Sequence, residues 1–212
     1  MAPFGYAVYS YIAGGNLLLV DLSLEQRQAV VADLAAFLRT LHDLQTPAAL
    51  RQVLYVEDHL SLADRARRLL QAAETEIAPA LSSRERHTLR HEFAQQIARY
   101  GQRFTPCLLH RDFCTDNIRM VNGAVAGVID FGNIVLGDSE IEFAELYLEQ
   151  GETVLREIAQ RYGHQNPNAL VEKMWRVSIV NQVEVIIDDA ADAPAGVVEE
   201  TWLTLRRLLQ EA

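Results

Sequence analysis

Cysteine is scarce in this chain: only Cys107 and Cys114 occur among its 212 residues. Two cysteines do not make a disulfide framework, so we expect both to be reduced thiols. Two targeting features are also missing. No apolar run reaches the length of a membrane-spanning helix, and the start Met-Ala-Pro-Phe-Gly lacks the basic segment of a secretory signal. These absences predict a cytoplasmic protein with no membrane partner.

Positive charge is also in short supply. Lysine and arginine total 19 against 29 aspartates and glutamates, for a net charge of −10, and Lys173 is the only lysine. This balance argues against a nucleic acid or an anionic membrane as partner and fits a small cationic substrate. Half of the residues are apolar, so the chain can bury the core of one domain, or of one domain with a helical appendage.

Helical spacing of apolar residues dominates the pattern, which predicts a mostly helical α+β fold. Ser23 with Gln26, and Ser82 with Glu85, have the spacing of capping boxes that begin helices. One hairpin is predicted in the middle of the chain, where two strand-like segments flank Asn122-Gly123. The predicted helices cover residues 24–44, 58–77, 82–100, 139–150, 152–162, 168–188 and 197–211; a further strand is predicted at 6–12, entering a turn at Gly14-Gly15.

The predicted hairpin lies inside the stretch HRDFCTDNIRMVNGAVAGVIDFGN, residues 110–133. A hairpin brings its ends together, so Asp112, Asp116 and Asn117 are expected near Asp130. Gathered carboxylates resist ionising together unless a cation neutralises them. Carboxylate and amide oxygens suit Mg²⁺, which binds one or two carboxylates together with phosphate oxygens. The residues therefore predict a magnesium–phosphate site with a spare aspartate as base, although aspartate and asparagine also serve as ordinary turn formers.

The same stretch resembles the active-site signature of kinase-fold phosphotransferases: His-Arg-Asp at 110–112, Asn117, Asp-Phe-Gly at 130–132 and Gly-Asp at 137–138. It is more similar to aminoglycoside phosphotransferases than to protein kinases, because residues 137–138 follow the Asp-Phe-Gly triplet almost at once and leave no room for an activation loop. The helix ending in Leu41-His42 and the tail at 162–163 and 173–187 are similar to the aminoglycoside 2″-phosphotransferases, the subgroup that the chain resembles most.

The resemblance implies a fold and a set of roles. The chain would be a protein-kinase-like C-terminal lobe that moves the terminal phosphate of ATP or GTP to a hydroxyl of an aminoglycoside, as an antibiotic-resistance enzyme does. Asp112 would be the catalytic base, Asn117 and Asp130 would hold Mg²⁺, and His110 and His42 would pack structurally. The hinge residues whose backbone meets the nucleotide base would be Ser10, Tyr11 and Ile12. The acids expected to grip a cationic substrate are Glu142, Glu145, Glu149, Asp188 and Asp189, for which a solvated helix face is the alternative interpretation.

Several features depart from the family pattern. Arg111 stands where glycine or asparagine is commoner, and Asn133 stands where the 2″ subgroup often has aspartate. Residues 1–20 contain no phosphate-covering loop, and no lysine precedes Lys173. We therefore expect the large lobe of such an enzyme, weak or inactive by itself, because losing the small lobe removes charge neutralisation at the phosphates.

This interpretation divides the chain into a hinge strand and a large lobe. The hinge strand, residues 1–20, would lack its pairing partners, so self-association through it is expected. The large lobe, residues 21–212, would have its core at about 21–47 and 101–150. Its helical subdomain would cover about 48–100 and 151–212.

The central motif leaves two other functions open. The acceptor could be another small alcohol, such as choline, homoserine or a macrolide. Alternatively, the chain could be a non-catalytic large-lobe remnant that binds cations or partners in an acidic cleft. Intact Asp112, Asn117 and Asp130 argue against the second possibility.

Overall fold

The structure, a computed structural model, describes residues 10–189 and 196–211. Within these ranges the protein is a mostly helical α+β fold with two small sheets, as the sequence predicts. The helices are α1 (Leu24–Asp43), α2 (Ala48–Arg51), α3 (His59–Glu76), α4 (Ser83–Tyr100), α5 (Ala144–Tyr162), α6 (Pro167–Glu184) and α7 (Val197–Gln210). The strands are β1 (Gly15–Asn16), β2 (Cys107–Leu109), β3 (Ile118–Val121), β4 (Ala124–Val128) and β5 (Val135–Gly137).

Local sequence signals place the helix ends. Both predicted capping boxes form, at Ser23 for α1 and at Ser82 for α4. Helix α5 is broken at Gly151, whose φ of 76° is not helical, and ends at Gly163 with φ of 90°. The predictions of a break between 150 and 152 and of a stop at Gly163 are confirmed, because both positions adopt backbone angles that favour glycine.

The two sheets surround the central motif. Strands β1, β3 and β4 form an antiparallel sheet in that order, with the predicted hairpin turn at Asn122-Gly123. Strands β2 and β5 form a second antiparallel pair. Strand β5 and helix α2 are absent from the sequence prediction, because three or four residues carry too little periodicity to identify an element.

The hinge prediction requires a correction. Residues 10–13 form no strand, and β1 begins at Gly15, where the sequence favours a turn. Residues 6–9 lie outside the described residues. Strand β1 forms there because Gly15 and Asn16 pair with Met120 and Arg119 of β3, a long-range contact that local turn chemistry does not reveal.

One hydrophobic cluster joins most of the helices. It includes Leu34 and Leu38 of α1, Leu69 of α3, Phe93 of α4 and Val177 of α6, each fully or almost fully buried. The cluster therefore spans both the predicted core segments and the predicted helical subdomain. Among the described residues no helix is long and apolar enough to cross a membrane.

Candidate active site

The hairpin of β3 and β4 brings the two halves of the motif together. Ile118 pairs with Val128, and the Ile129 amide donates to the Asn117 carbonyl oxygen at 2.9 Å. Asp130 follows directly, so Asn117 and Asp130 lie beside one another across the end of the ladder.

The loop of residues 110–112 is anchored from below. Glu142, only 3% exposed, accepts hydrogen bonds from the backbone amides of His110 and Arg111, at 2.5 and 2.9 Å. The buried His110 ring has Nε2 2.9 Å from the Ile129 carbonyl oxygen and packs against the Phe131 ring at 4.5 Å. These contacts give His110 a packing position beneath the loop.

Arg111 has a strained backbone angle, and contacts hold both its backbone amide and its guanidinium group. Its φ of 65° lies in the left-handed region, which costs a residue with a Cβ about 1–2 kcal/mol. Glycine and asparagine tolerate this left-handed backbone angle better than other residues do. The Arg111 guanidinium donates to Glu57 Oε1 at 2.8 Å, and Glu57 is itself buried. The ion pair and the Glu142 hydrogen bond together hold the loop that presents Asp112.

The amide side chain of Asn117 faces Asp112. Its Nδ2 donates to the Asp112 carbonyl oxygen at 2.9 Å and to Asp112 Oδ2 at 3.0 Å. Asp112 is half-buried and Asn117 is buried. Because the donor end of the Asn117 amide is used in this way, its Oδ1 is turned away from Asp112 and keeps its acceptor capacity.

Asp130 is exposed, and its backbone lies in the left-handed region with φ of 62°. Its Oδ1 accepts one hydrogen bond, from the Gly132 amide at 3.3 Å. Among the described residues no group of three or more histidine, cysteine, aspartate or glutamate side chains has the arrangement of a metal site. The donor set still fits Mg²⁺ bound together with phosphate, since that ion prefers few protein oxygens and keeps water or phosphate ligands.

The acids expected to grip a substrate have different positions. Glu142 is buried under the loop, which speaks against contact with a substrate. Glu149 accepts from Thr115 N and Oγ1, at 2.8 and 3.1 Å. Asp188 is paired with Arg68 through both carboxylate oxygens, at 3.1 and 2.7 Å. The Asp189 side chain lies outside the described part of the structure.

Glu145 is the acid of this set that lines a cavity. The cavity, about 620 Å³ in volume, lies between the 110–112 loop, α3 and α6, and its walls include Arg111, Asn133, Tyr55 and Arg65. Burial, and then the neighbouring Glu149 and Asp112, raise the pKa of Glu145 above its ordinary value. Burial by itself favours the neutral acid, whereas the repulsion from Glu149 and Asp112 is what a cation placed beside Glu145 would relieve.

The hinge residues lie at the edge of the β1–β3–β4 sheet. The Tyr11 side chain is 84% exposed. Ile12 packs closely on β4 at Gly127, where an added Cβ would come within 2.9 Å of Ile12 Cδ1. Glycine at this position therefore lets the hinge segment lie flat against the sheet.

The two cysteines are free. Burial is the largest cause that raises the pKa of Cys107 to about 12 and that of Cys114 to about 11. Both are therefore protonated thiols at neutral pH, and Cys114 is no activated nucleophile despite its position beside Asp112.

Three site residues were not predicted from the sequence, Glu57, Arg65 and Glu184, and neither was the structural role of Arg111. Arg65 pairs with Glu184, 119 positions away, and Arg111 pairs with Glu57, 54 positions away. No local pattern connects partners at such separations, so only the packing of α3 against α6 and the loop reveals them.

Comparison with known proteins identifies relatives of this arrangement. The model of the phosphotransferase enzyme family matches residues 2–172. An aminoglycoside 3'-phosphotransferase of Escherichia coli is 31% identical over 150 residues, which cover 67% of this chain and 52% of that protein. The chain therefore spans about half the length of this curated relative.

Solved structures share the fold. The GDP and kanamycin complex of APH(2")-IIia superposes with a TM-score of 0.84 at 20% identity, covering 96% of this chain and 70% of that one. Macrolide 2'-phosphotransferase type I superposes with a TM-score of 0.67 at 14% identity, covering 96% of this chain and 67% of that one. At these identities the likeness shows the kinase-like fold, and it does not distinguish between acceptors.

Proposed function

Since the chain belongs to the phosphotransferase enzyme family, we propose that it transfers the terminal phosphoryl group of a nucleoside triphosphate to a hydroxyl group of a small, aminoglycoside-like acceptor. One observation carries the proposal. Asn117 binds Asp112 through its side chain and Ile129 through its backbone, so the candidate base and the two candidate metal ligands share one corner of the fold. Phosphoryl transfer requires this placement of charge and hydroxyl more than it requires covalent chemistry.

Asp112 is the base in this proposal. It would accept a hydrogen bond from the acceptor hydroxyl and orient it toward the phosphate. A base must come within about 3 Å of the proton it takes, and the Asn117 hydrogen bond at 3.0 Å fixes the Asp112 carboxylate for that contact. The loop beneath it is held by Glu142 and by the Arg111–Glu57 pair, which limits movement of the base.

Asn117 and Asp130 are proposed to hold Mg²⁺ with the nucleotide. The ion, when bound, neutralises charge on the phosphate oxygens. Asp130 contributes an exposed carboxylate with one long hydrogen bond, so it has free lone pairs for a cation. Asn117 contributes its amide oxygen, since the amide nitrogen already serves Asp112.

Ser10, Tyr11 and Ile12 are proposed to bind the nucleotide base through their backbone. The support is their position: Ile12 lies on β4, the strand that leads directly to Asp130. A nucleotide held by this segment would extend its phosphates toward the end of the hairpin.

The proposal is tested by an acceptor-dependent transfer assay. The purified chain is incubated with Mg²⁺ and ATP or GTP carrying a labelled terminal phosphate, with kanamycin, choline or a macrolide as acceptor. The expected result is a labelled aminoglycoside, lost in Asp112→Asn and kept in Asp116→Asn, a nearby acid whose carboxylate accepts from Asn16 instead. Label on choline or the macrolide alone would refute the aminoglycoside-like acceptor.

A further inference from the structure

The cavity beside the 110–112 loop has an almost balanced charge. Its walls carry three carboxylates, Glu57, Glu145 and Glu184, and two guanidinium groups, Arg65 and Arg111. With all five ionised, one negative charge remains. A pocket built for a polycation needs several unpaired carboxylates, and this one contains far fewer than the net charge of −10 for the chain suggests.

Two of the three carboxylates are already neutralised. Arg65 Nε donates to Glu184 Oε1 at 2.5 Å, and a second contact joins their other ends. Arg111 donates to Glu57 at 2.8 Å, and Arg65 lies 3.6 Å from the same Glu57 oxygen. The four residues thus form a continuous ion-pair chain along the cavity wall, in the order Arg111, Glu57, Arg65, Glu184.

The chain of ion pairs is well shielded. The side chains of Glu57 and Glu184 are 8% and 15% exposed. A buried carboxylate that loses its partner is costly, so a ligand ammonium group gains little by displacing either arginine. The guanidinium groups also face any cation that enters, and they repel it.

Other acids close to the site are engaged as well. Glu142 holds the loop, Glu149 holds Thr115, and Asp188 is paired with Arg68. Glu145 is different, because it lines the cavity and forms no ion pair with the described residues 10–189 and 196–211. Its carboxylate accepts a hydrogen bond from the neutral side chain of Asn181, so among the described cavity residues it is the carboxylate without a cationic partner.

We propose, building on the phosphotransferase function above, that this cavity takes an aminoglycoside-like acceptor with a single ammonium group near its hydroxyl, such as a mono-amino sugar. Glu145 is the counter-ion of that group, and Arg65 is the residue that excludes a second ammonium group. Asn133 and Ser61 offer neutral hydrogen-bonding groups for further hydroxyls. Tyr55, 62% exposed at the rim, offers an aromatic face to a sugar ring.

A binding experiment tests this without any need for turnover. Kanamycin is compared with kanamycin N-acetylated at every amino group but one, prepared as separate positional isomers, by titration calorimetry at one ionic strength. The sugar rings stay constant, each blocked amine gains a neutral acetyl group, and the positional isomers have the same size and charge as one another. The expected result is that one mono-ammonium isomer binds at least as tightly as kanamycin itself.

Variants identify the residues responsible. Glu145→Gln is expected to weaken the favoured isomer about tenfold, the size of one screened ion pair at close range. Arg65→Gln is expected to shift the preference about tenfold toward kanamycin, because it leaves Glu184 unpaired. Arg68→Gln is the matched control: it makes the same charge change on the same helix, but Arg68 pairs with Asp188 outside the cavity, so the preference stays unchanged.

A double variant keeps the test interpretable if Arg65→Gln alone fails to fold. Arg65→Gln combined with Glu184→Gln removes the ion pair as a neutral unit, so it is expected to keep the preference of the parent even where Arg65→Gln alone is unstable. Circular dichroism melting checks each variant.

Three results would overturn the inference. In the first, kanamycin binds more than tenfold tighter than every isomer. In the second, Arg68→Gln and Arg65→Gln shift the preference between kanamycin and the favoured isomer equally. In the third, no probe binds. Failure of phosphoryl transfer with the charge preference intact would instead contradict the proposed function alone.

Discussion

The side-chain amide of Asn117 donates to the Asp112 carboxylate at 3.0 Å and to the Asp112 carbonyl oxygen at 2.9 Å. One asparagine thus fixes the orientation of the candidate base while keeping its own Oδ1 for a cation. The two proposed roles, metal binding and base positioning, are coupled through a single side chain.

Asp112→Asn is expected to lower phosphoryl transfer about 10²-fold or more, since a general base contributes about 10²–10⁴-fold. Acceptor affinity should change little, because the amide is nearly isosteric and its oxygen can still accept a hydrogen bond from the acceptor hydroxyl. Steady-state kinetics separate the two effects. Asp116→Asn serves as control, and a full rate in Asp112→Asn would refute its role.

Asp130→Asn is expected to abolish Mg²⁺-dependent nucleotide binding with little loss of stability. Asparagine tolerates the left-handed φ of 62°, so the backbone is preserved while the charge is removed. Titration calorimetry with and without Mg²⁺ measures the effect, and thermal melting checks the fold. Asp21→Asn, an exposed acid far along the chain, is the control. Parental affinity in Asp130→Asn would contradict the metal assignment.

Lys173→Met is expected to make the fold more sensitive to acid. The Lys173 ammonium group donates to Asp138 and to Glu140, each at 2.6 Å. Burial by itself raises the pKa of Glu140, but Lys173 and His164 outweigh it and hold the pKa below its ordinary value. Ionised Glu140 therefore stabilises the fold above its unfolded-state pKa, and this stabilisation is lost as the pH falls through the folded-state pKa.

The measurement is an acid titration followed by circular dichroism, together with urea unfolding at neutral pH. Without Lys173 the burial cost dominates, so the acid midpoint should move to higher pH. Stability at neutral pH should fall by about 3 kcal/mol, as for a buried pair that loses one partner. Arg156→Met, which removes an exposed pair with Glu152, should cost less than about 0.5 kcal/mol. An unchanged acid midpoint in Lys173→Met would show that the pair contributes nothing.

Self-association through residues 6–12 remains a prediction, now motivated by exposed apolar surface near the edge strand β4. The Tyr11 side chain is 84% exposed and lies in a segment without a strand. Light scattering at rising concentration should show self-association that Tyr11→Ser reduces. Tyr55→Ser removes an exposed tyrosine elsewhere and should have no effect. A monomer at all concentrations would refute the prediction.

The elements with strong local signals follow from the sequence. Capping boxes at Ser23 and Ser82, the Asn122-Gly123 turn and the glycines at 151 and 163 are each confirmed. Their physics is local: a side chain satisfies a nearby amide, or a glycine adopts a backbone angle that other residues avoid. The convergence of Asn117 and Asp130 follows as well, because a hairpin brings its two ends together, here despite a register shift between Arg119 and Met120.

Charge pairing did not follow from the sequence. The sequence left Glu142, Glu149 and Asp188 as candidates to grip a cationic substrate or as part of a solvated face, because it shows their spacing but not their neighbours. Their partners come from distant segments, for example Arg68 for Asp188 across 120 positions. Tertiary packing also decided the short strand β1, which exists because β3 lies beside it.

The sequence by itself determined the helices, the hairpin and the acids that meet at its end, because these depend on contacts within a few residues or across one turn. The tertiary structure alone decided which charges remain available to a ligand. A carboxylate is free only if no cation has packed against it, and whether Arg65 and Arg111 do so depends on how α3, α6 and the 110–112 loop come together.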